Sequence, residues 1–183
     1  MKIGIFGGTF DPWHLGHSAI VKKALEKVDK VIIVPTTVNY YREDKRYLFT
    51  FDEKCEIIEE FLTGIDGTVE IDTIEKSKDT SWRTVHLLEY FKGKFPNDEL
   101  YYIIGEDSYK NFKTWFRYED ILRMAKLLVA NRGYDIVDPE IPFEHLMLGS
   151  EFVESSASKV RQMLMEELRD MYMSDKDWYN RLM

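Results

Sequence analysis

Two histidines three residues apart, His14 and His17, close the run Gly7-Gly8-Thr9-Phe10-Asp11-Pro12-Trp13-His14-Leu15-Gly16-His17. On a helix, residues at this spacing share a face, so both imidazoles would stand at one first turn. Backbone N–H groups there are unpaired and the helix dipole is positive, which makes a compact clamp for a polyphosphate. The spacing predicts Gly7-Gly8-Thr9 as a turn in which missing Cβ atoms let a phosphate approach. Gly16 leaves room for close packing or for a ligand. The same two histidines could be surface residues or two ligands of a metal. The metal reading lacks partners, because the other histidines are His86 and His145 and Cys55 is the single cysteine.

A second concentration of chemistry lies at Val153-Glu154-Ser155-Ser156-Ala157-Ser158-Lys159-Val160-Arg161. A Ser N-cap, free N–H groups and an arginine one turn in would form an anion site for a terminal phosphate. An ordinary capped helix with a solvated arginine fits the same residues.

These groups need elements to hold them. Residues 2–6 read as a short buried strand and 15–27 as an amphipathic helix. The run Val31-Ile32-Ile33-Val34, closed by Pro35, has the pattern of a strand buried on both faces. Residues 36–50 read as a loop, 51–63 as a helix and 69–71 as a strand. Asp79-Thr80-Ser81 offers N-cap chemistry to a helix from about 82 to 93. Strands follow at 100–104 and 126–130, with a short helix near 118–124 between them. Gly133, Pro139 and Pro142 mark 133–143 as a loop, 144–148 as a short strand, and Ser156 caps a last helix over 157–172. Strands alternating with helices predict a single α/β domain over 1–183, a parallel sheet with helices on both faces. Ligands in such sheets sit beyond the strand C-termini, so the loops at 7–17, 35–46, 105–117 and 131–133 should share one cleft.

Composition narrows the partners. The 183 residues are 44 % hydrophobic, enough for one real core, and carry a net charge of −8. That charge disfavours nucleic acid, whose binding rests on cationic contacts to phosphate. It is compatible with small phosphorylated ligands held at helix N-termini. One cysteine excludes an internal disulfide and fits a reduced cytoplasmic setting. No signal peptide and no run near the roughly 20 apolar residues of a membrane span is expected.

With these residues in view, the first run resembles the GGTFDPxHxGH signature of the nucleotidyltransferase superfamily with an HxGH motif, and the second resembles its SSTxIR signature. Tyr101-Tyr102-Ile103-Ile104-Gly105-Glu106-Asp107-Ser108, then Trp115-Phe116-Arg117-Tyr118-Glu119-Asp120-Ile121-Leu122, then Leu128-Val129-Ala130-Asn131-Arg132-Gly133 look like the corresponding order in bacterial nicotinate-nucleotide adenylyltransferases. The resemblance covers 1–172. It implies a Rossmann-like fold and transfer of AMP from ATP to nicotinate mononucleotide, with pyrophosphate released. Magnesium would ride on the ATP phosphates. His14, His17 and Arg161 are the catalytic residues it implies, with Gly7, Gly8, Thr9, Phe10, Gly105, Asp107, Arg132, Ser156 and Ser158 around ATP.

The acceptor side departs from the family pattern. Arg42 stands where a Pro-His-Lys element usually ends, beside Tyr41 in place of His. Arg83 stands where an Asp is usual, and Ala157 replaces the second Ser of the C-terminal signature. Arg42 would hold the mononucleotide phosphate and Trp115 would offer a face to the pyridine ring. N–H groups near Thr80 and Ser81, with that of Phe116, would meet the carboxylate. Asp107, just past a strand, could accept from both ribose hydroxyls or cap a helix. Other members of the superfamily, such as phosphopantetheine adenylyltransferases or cytidylyltransferases, and a non-catalytic nucleotide-binding regulator are the competing expectations. A homo-oligomer is compatible with all of them.

Overall fold

A computed structural model describes residues 1–37, 48–77, 82–131, 141–148 and 163–164. Six strands form one sheet: β1 (Lys2–Gly8), β2 (Lys30–Pro35), β3 (Thr68–Ile71), β4 (Glu99–Gly105), β5 (Ala125–Asn131) and β6 (Phe143–Met147). Their order is β3-β2-β1-β4-β5-β6 and every pairing is parallel. The chain winds outward from β1 in one direction and from β4 in the other. The sheet therefore has its topological switch point between these two central strands.

Alternation along the strands divides the core in two. Ile3, Ile5, Ile32, Val34, Leu100, Tyr102, Ile104, Leu127 and Val129 face one side and pack against Val85, Leu88 and Phe91 of α3 (Thr84–Lys94) and Ile121 of α5 (Tyr118–Met124). Phe6, Val31, Ile33, Tyr101, Ile103 and Leu128 face the other side and pack against α1 (Leu15–Leu25) and Ile58 of α2 (Phe51–Leu62). This two-sided burial is why Val31–Val34 reads as an unbroken apolar run rather than an alternating one.

The predicted elements are present with shifted ends. The strand read over 2–6 continues to Gly8, because Gly7 and Gly8 pair with Val34 and Pro35. The glycine pair is therefore the end of a strand and not a turn. The reversal falls on Phe10, whose φ of 46° lies in the left-handed region. The helix read from about 82 begins at Thr84 with Arg83 in the N-cap position and no side-chain cap bond from it; Asp79-Thr80-Ser81 lie outside the described residues. A short helix α4 (Glu106–Lys110) and 3₁₀ turns at Ile74–Ser77 and Phe112–Thr114 fall where no element was expected. Of the predicted C-terminal helix, Met163 and Leu164 are described and helical. Its Ser156 cap lies outside the described residues.

Candidate active site

The switch point brings the C-terminal ends of β1 and β4 side by side, and the first motif leaves the sheet there. Its geometry differs from two histidines on one helical face. His14 is the N-cap of α1, with extended backbone at φ −148° and ψ 169°. Its Nδ1 accepts the N–H of Gly16 at 3.1 Å, and the Nδ1 of His17, at the third helical position, accepts the N–H of His14 at 3.3 Å. The pair forms a reciprocal capping box in which imidazoles replace the usual Ser and Glu. The rings stack with centroids 3.7 Å apart.

This wiring assigns the protons. An Nδ1 that accepts a hydrogen bond carries no hydrogen, so each neutral ring bears its proton on Nε2. Burial, and then the neighbouring charge of His14, hold His17 well below the ordinary imidazole pKa. The resting site is thus a neutral Nε2–H donor at His17, stacked on a second donor at His14.

Aromatic side chains fix that donor in place. Phe10 and Trp13 lie 5.1 and 5.0 Å from the His17 ring, and Phe6 lies 6.1 Å away. Trp13 is anchored by its Nε1–H to Ser18 Oγ at 2.8 Å. Gly7 and Gly8 belong to this packing: a Cβ on Gly8 would come within 2.7 Å of the Phe10 ring, and one on Gly7 within 3.1 Å of the Tyr102 hydroxyl. Asp11 is buried and accepts the N–H groups of Leu48 and Phe49 at 3.1–3.2 Å. It ties the motif to the start of α2. Thr9 sits between Gly8 and Phe10, partly exposed.

From β4, Gly105 is the N-cap of α4, and a Cβ there would meet nothing within 4 Å. Asp107 lies in the first turn of α4, exposed and acidic at a helix start; it is not the cap. Trp115 follows the 3₁₀ turn, half-buried, its ring 6.2 Å from Tyr102 and 5.2 Å from Phe112. Through Tyr102 it reaches the end of β1 at Gly7. Phe116 is 44 % exposed, and the guanidinium of Arg83 lies over its ring at 4.5 Å. That contact places a cation beside Phe116, whose N–H was expected at the carboxylate, and next in sequence to Trp115.

His14, His17, Gly7, Gly8, Thr9, Phe10, Gly105, Asp107, Trp115 and Phe116 thus all belong to segments leaving the C-terminal ends of β1 and β4. Arg42, Thr80, Ser81, Arg132, Ser156, Ser158 and Arg161, with Tyr41 and Ala157, lie outside the described residues. Sequence reasoning missed Asp11, Tyr102 and the Arg83–Phe116 stack. The first sits inside a motif read for its glycines and histidines, and the other two join residues distant in sequence. Among the described residues no three His, Cys, Asp or Glu side chains group so as to hold a metal ion, and no helix is long and apolar enough to cross a membrane.

Comparison with known proteins matches residues 5–163 to the cytidylyltransferase-like family model. A probable nicotinate-nucleotide adenylyltransferase of Fusobacterium nucleatum subsp. nucleatum is 35 % identical over 170 residues, which span 88 % of this chain and 86 % of that protein. One of Aliarcobacter butzleri (strain RM4018) is 34 % identical over 139 residues, 73 % of this chain and 74 % of that protein. In fold, the chain is similar to Plasmodium falciparum nicotinic acid mononucleotide adenylyltransferase complexed with NaAD. The TM-score is 0.73 at 20 % identity, covering 88 % of this chain and 82 % of that one.

Proposed function

The chain belongs to the cytidylyltransferase-like family, on its nicotinate-nucleotide adenylyltransferase branch, and on that footing we propose that it transfers AMP from ATP to nicotinate mononucleotide. The products are nicotinate adenine dinucleotide and pyrophosphate, a step of NAD biosynthesis. The observation that carries this reading is the stacked, backbone-wired pair His14 and His17 at the start of α1, beside the switch point.

The reaction needs positioning and charge neutralisation more than proton chemistry. An oxygen of the acceptor phosphate attacks the α-phosphorus of ATP, and a new P–O bond forms in line with the bond to the bridging oxygen. That bond breaks, and its electron pair leaves with pyrophosphate. The acceptor phosphate is already anionic at pH 7, so no general base is required. Charge grows on the departing oxygens, and the Nε2–H donors of His17 and His14 are suited to meet it in a partly desolvated site. Magnesium enters as part of the substrate, the Mg–ATP complex. Arg161, with Ser156 and Ser158, is assigned to the terminal phosphate of ATP, and Gly105, Asp107 and Arg132 to its nucleoside. Arg42, Thr80, Ser81, Trp115 and Phe116 are assigned to the acceptor.

The test is pyrophosphate release from ATP with nicotinate mononucleotide, nicotinamide mononucleotide or phosphopantetheine, and from CTP with a phosphorylated alcohol. Fast release with nicotinate mononucleotide supports the reading. Release only with phosphopantetheine or from CTP replaces it with another branch of the family. ATP binding without release in any mixture replaces it with a nucleotide-binding regulator.

A further inference from the structure

Away from the histidine motif, the described structure buries a carboxylate that the mechanism does not use. Glu75, in the 3₁₀ turn Ile74–Ser77, is 1 % exposed. Its Oε2 accepts the N–H of Thr37 at 3.3 Å, and the Thr37 hydroxyl donates to the Glu75 carbonyl at 2.7 Å. The backbone of Trp82 also donates toward this carboxylate. Its Oε1 has no hydrogen-bond partner among the described residues. A position with only a packing role would carry an apolar side chain, since a buried, half-satisfied carboxylate is disfavoured.

Several elements converge on it. Lys54 of α2, 2 % exposed, donates from Nζ to the Thr36 carbonyl at 2.6 Å, and its positive charge favours the ionised Glu75. Tyr102 of β4 feels the Glu75 charge, and its hydroxyl lies 3.3 Å from Thr84 Oγ1 at the start of α3. On the carboxylate's own turn, Lys76 pairs with Asp52. Among the described residues, Lys54 and Tyr102 are thus the titratable groups facing it from the packed elements. Thr37 directly precedes the segment that holds Arg42, and Trp82 directly follows Thr80 and Ser81.

We propose that Glu75 is a positioning residue whose ionised carboxylate holds Thr37 to Trp82 and so sets the acceptor side of the site. The proposal rests on the acceptor assignment made above. Burial pushes the Glu75 carboxyl up to about 7, against the Thr37 and Trp82 N–H groups and the Lys54 charge. The hold therefore weakens as pH falls through neutrality, because hydrogen bonds to a neutral carboxyl are weaker than those to a carboxylate.

The experiment compares wild type with Glu75→Gln between pH 6 and 8, measuring KM for nicotinate mononucleotide, KM for ATP, and kcat. The acceptor phosphate titrates nearby, but equally for both enzymes, so the ratio of their acceptor KM values isolates Glu75. That ratio should be about tenfold at pH 8, the worth of one charge-assisted contact, and approach one at pH 6. The ATP KM and kcat should match at both pH values. A ratio that does not change with pH overturns the proposal. Thermal unfolding provides a readout without substrate. A carboxyl with a raised folded pKa contributes stability below its unfolded pKa and loses it as pH rises through the folded value. The Tm of Glu75→Gln minus that of wild type should therefore climb between about pH 4.5 and 7. A constant difference overturns the proposal even if the wild type proves to use another acceptor. Absence of any release with nicotinate mononucleotide in the wild type, beside a climbing difference, overturns the acceptor assignment and the acceptor-side role built on it.

Discussion

His17 has two nitrogens with separate uses: Nδ1 closes the cap of α1, and Nε2–H is the donor we assign to the departing phosphate oxygens. His17→Ala should lower kcat by about 10²–10³, the usual loss for one positioned donor to developing charge. It should also lower Tm, since Phe6, Phe10 and Trp13 lose a ring between them. Single-turnover rates measured below the variant's Tm separate the two effects, and a rate within a few-fold of wild type would remove His17 from the mechanism. Its depressed pKa makes a second prediction. As pH falls below 6.5, the unfolded chain takes up a proton at His17 that the folded chain refuses. Stability then drops by up to about 1.4 kcal/mol per pH unit from this group. Urea unfolding at pH 5, 6 and 7 should show this slope in wild type and lose it in His17→Asn. The direction is opposite to that of Glu75, so the two contributions separate cleanly by variant.

Among the elements, the carboxylate of Asp11 ties the lead-in to α1 to the start of α2. Asp11, 1 % exposed, accepts from Leu48 and Phe49 just before Thr50 caps α2. Asp11→Asn keeps the size but turns an NH₂ toward N–H donors, which costs about 1–3 kcal/mol. A fall of that size in unfolding free energy is expected from denaturant titration, together with a raised KM for ATP, because the histidine cap follows three residues later. An unchanged midpoint would show that the Asp11 anchor is dispensable. The cap of α3 is also built differently from the usual pattern. Arg83 holds the N-cap position without a side-chain cap bond, and its guanidinium lies over Phe116.

At the scale of the whole molecule, the doubly wound sheet makes the proposed acceptor site composite. Trp115 comes from the link after α4, Arg83 from the start of α3, and both meet near Tyr102 of β4 and the end of β1. A cation favours a carboxylate, which carries charge, over an amide, which does not. The expected outcome is a specificity constant about tenfold to a hundredfold higher for nicotinate than for nicotinamide mononucleotide, equivalent to roughly 1–3 kcal/mol. Arg83→Ala should narrow that gap and leave ATP kinetics unchanged. Equal constants in wild type would refute the carboxylate argument.

What the sequence by itself determined is local or periodic. The unbroken apolar runs at Val31–Val34 and Leu100–Ile104 specify strands covered on both faces, and the alternation of strands with helices specifies a parallel sheet. The spacing of His14 and His17 with the glycines ahead of them marks one end of a strand as the candidate place for phosphate. Tertiary structure decided what depends on partners far along the chain. Gly7 and Gly8 look like a turn in isolation, yet pairing with Val34 and Pro35 makes them strand, and Tyr102 and Phe10 occupy the space their side chains would need. Glu75 reads as an ordinary surface charge in a polar stretch. Only the meeting of β2, α2 and the lead-in to α3 buries it beside Lys54 and Thr37. A pattern along the chain reports which face of an element is apolar. It carries no record of which distant backbone will close over a charge, because that is set by the packing of whole elements.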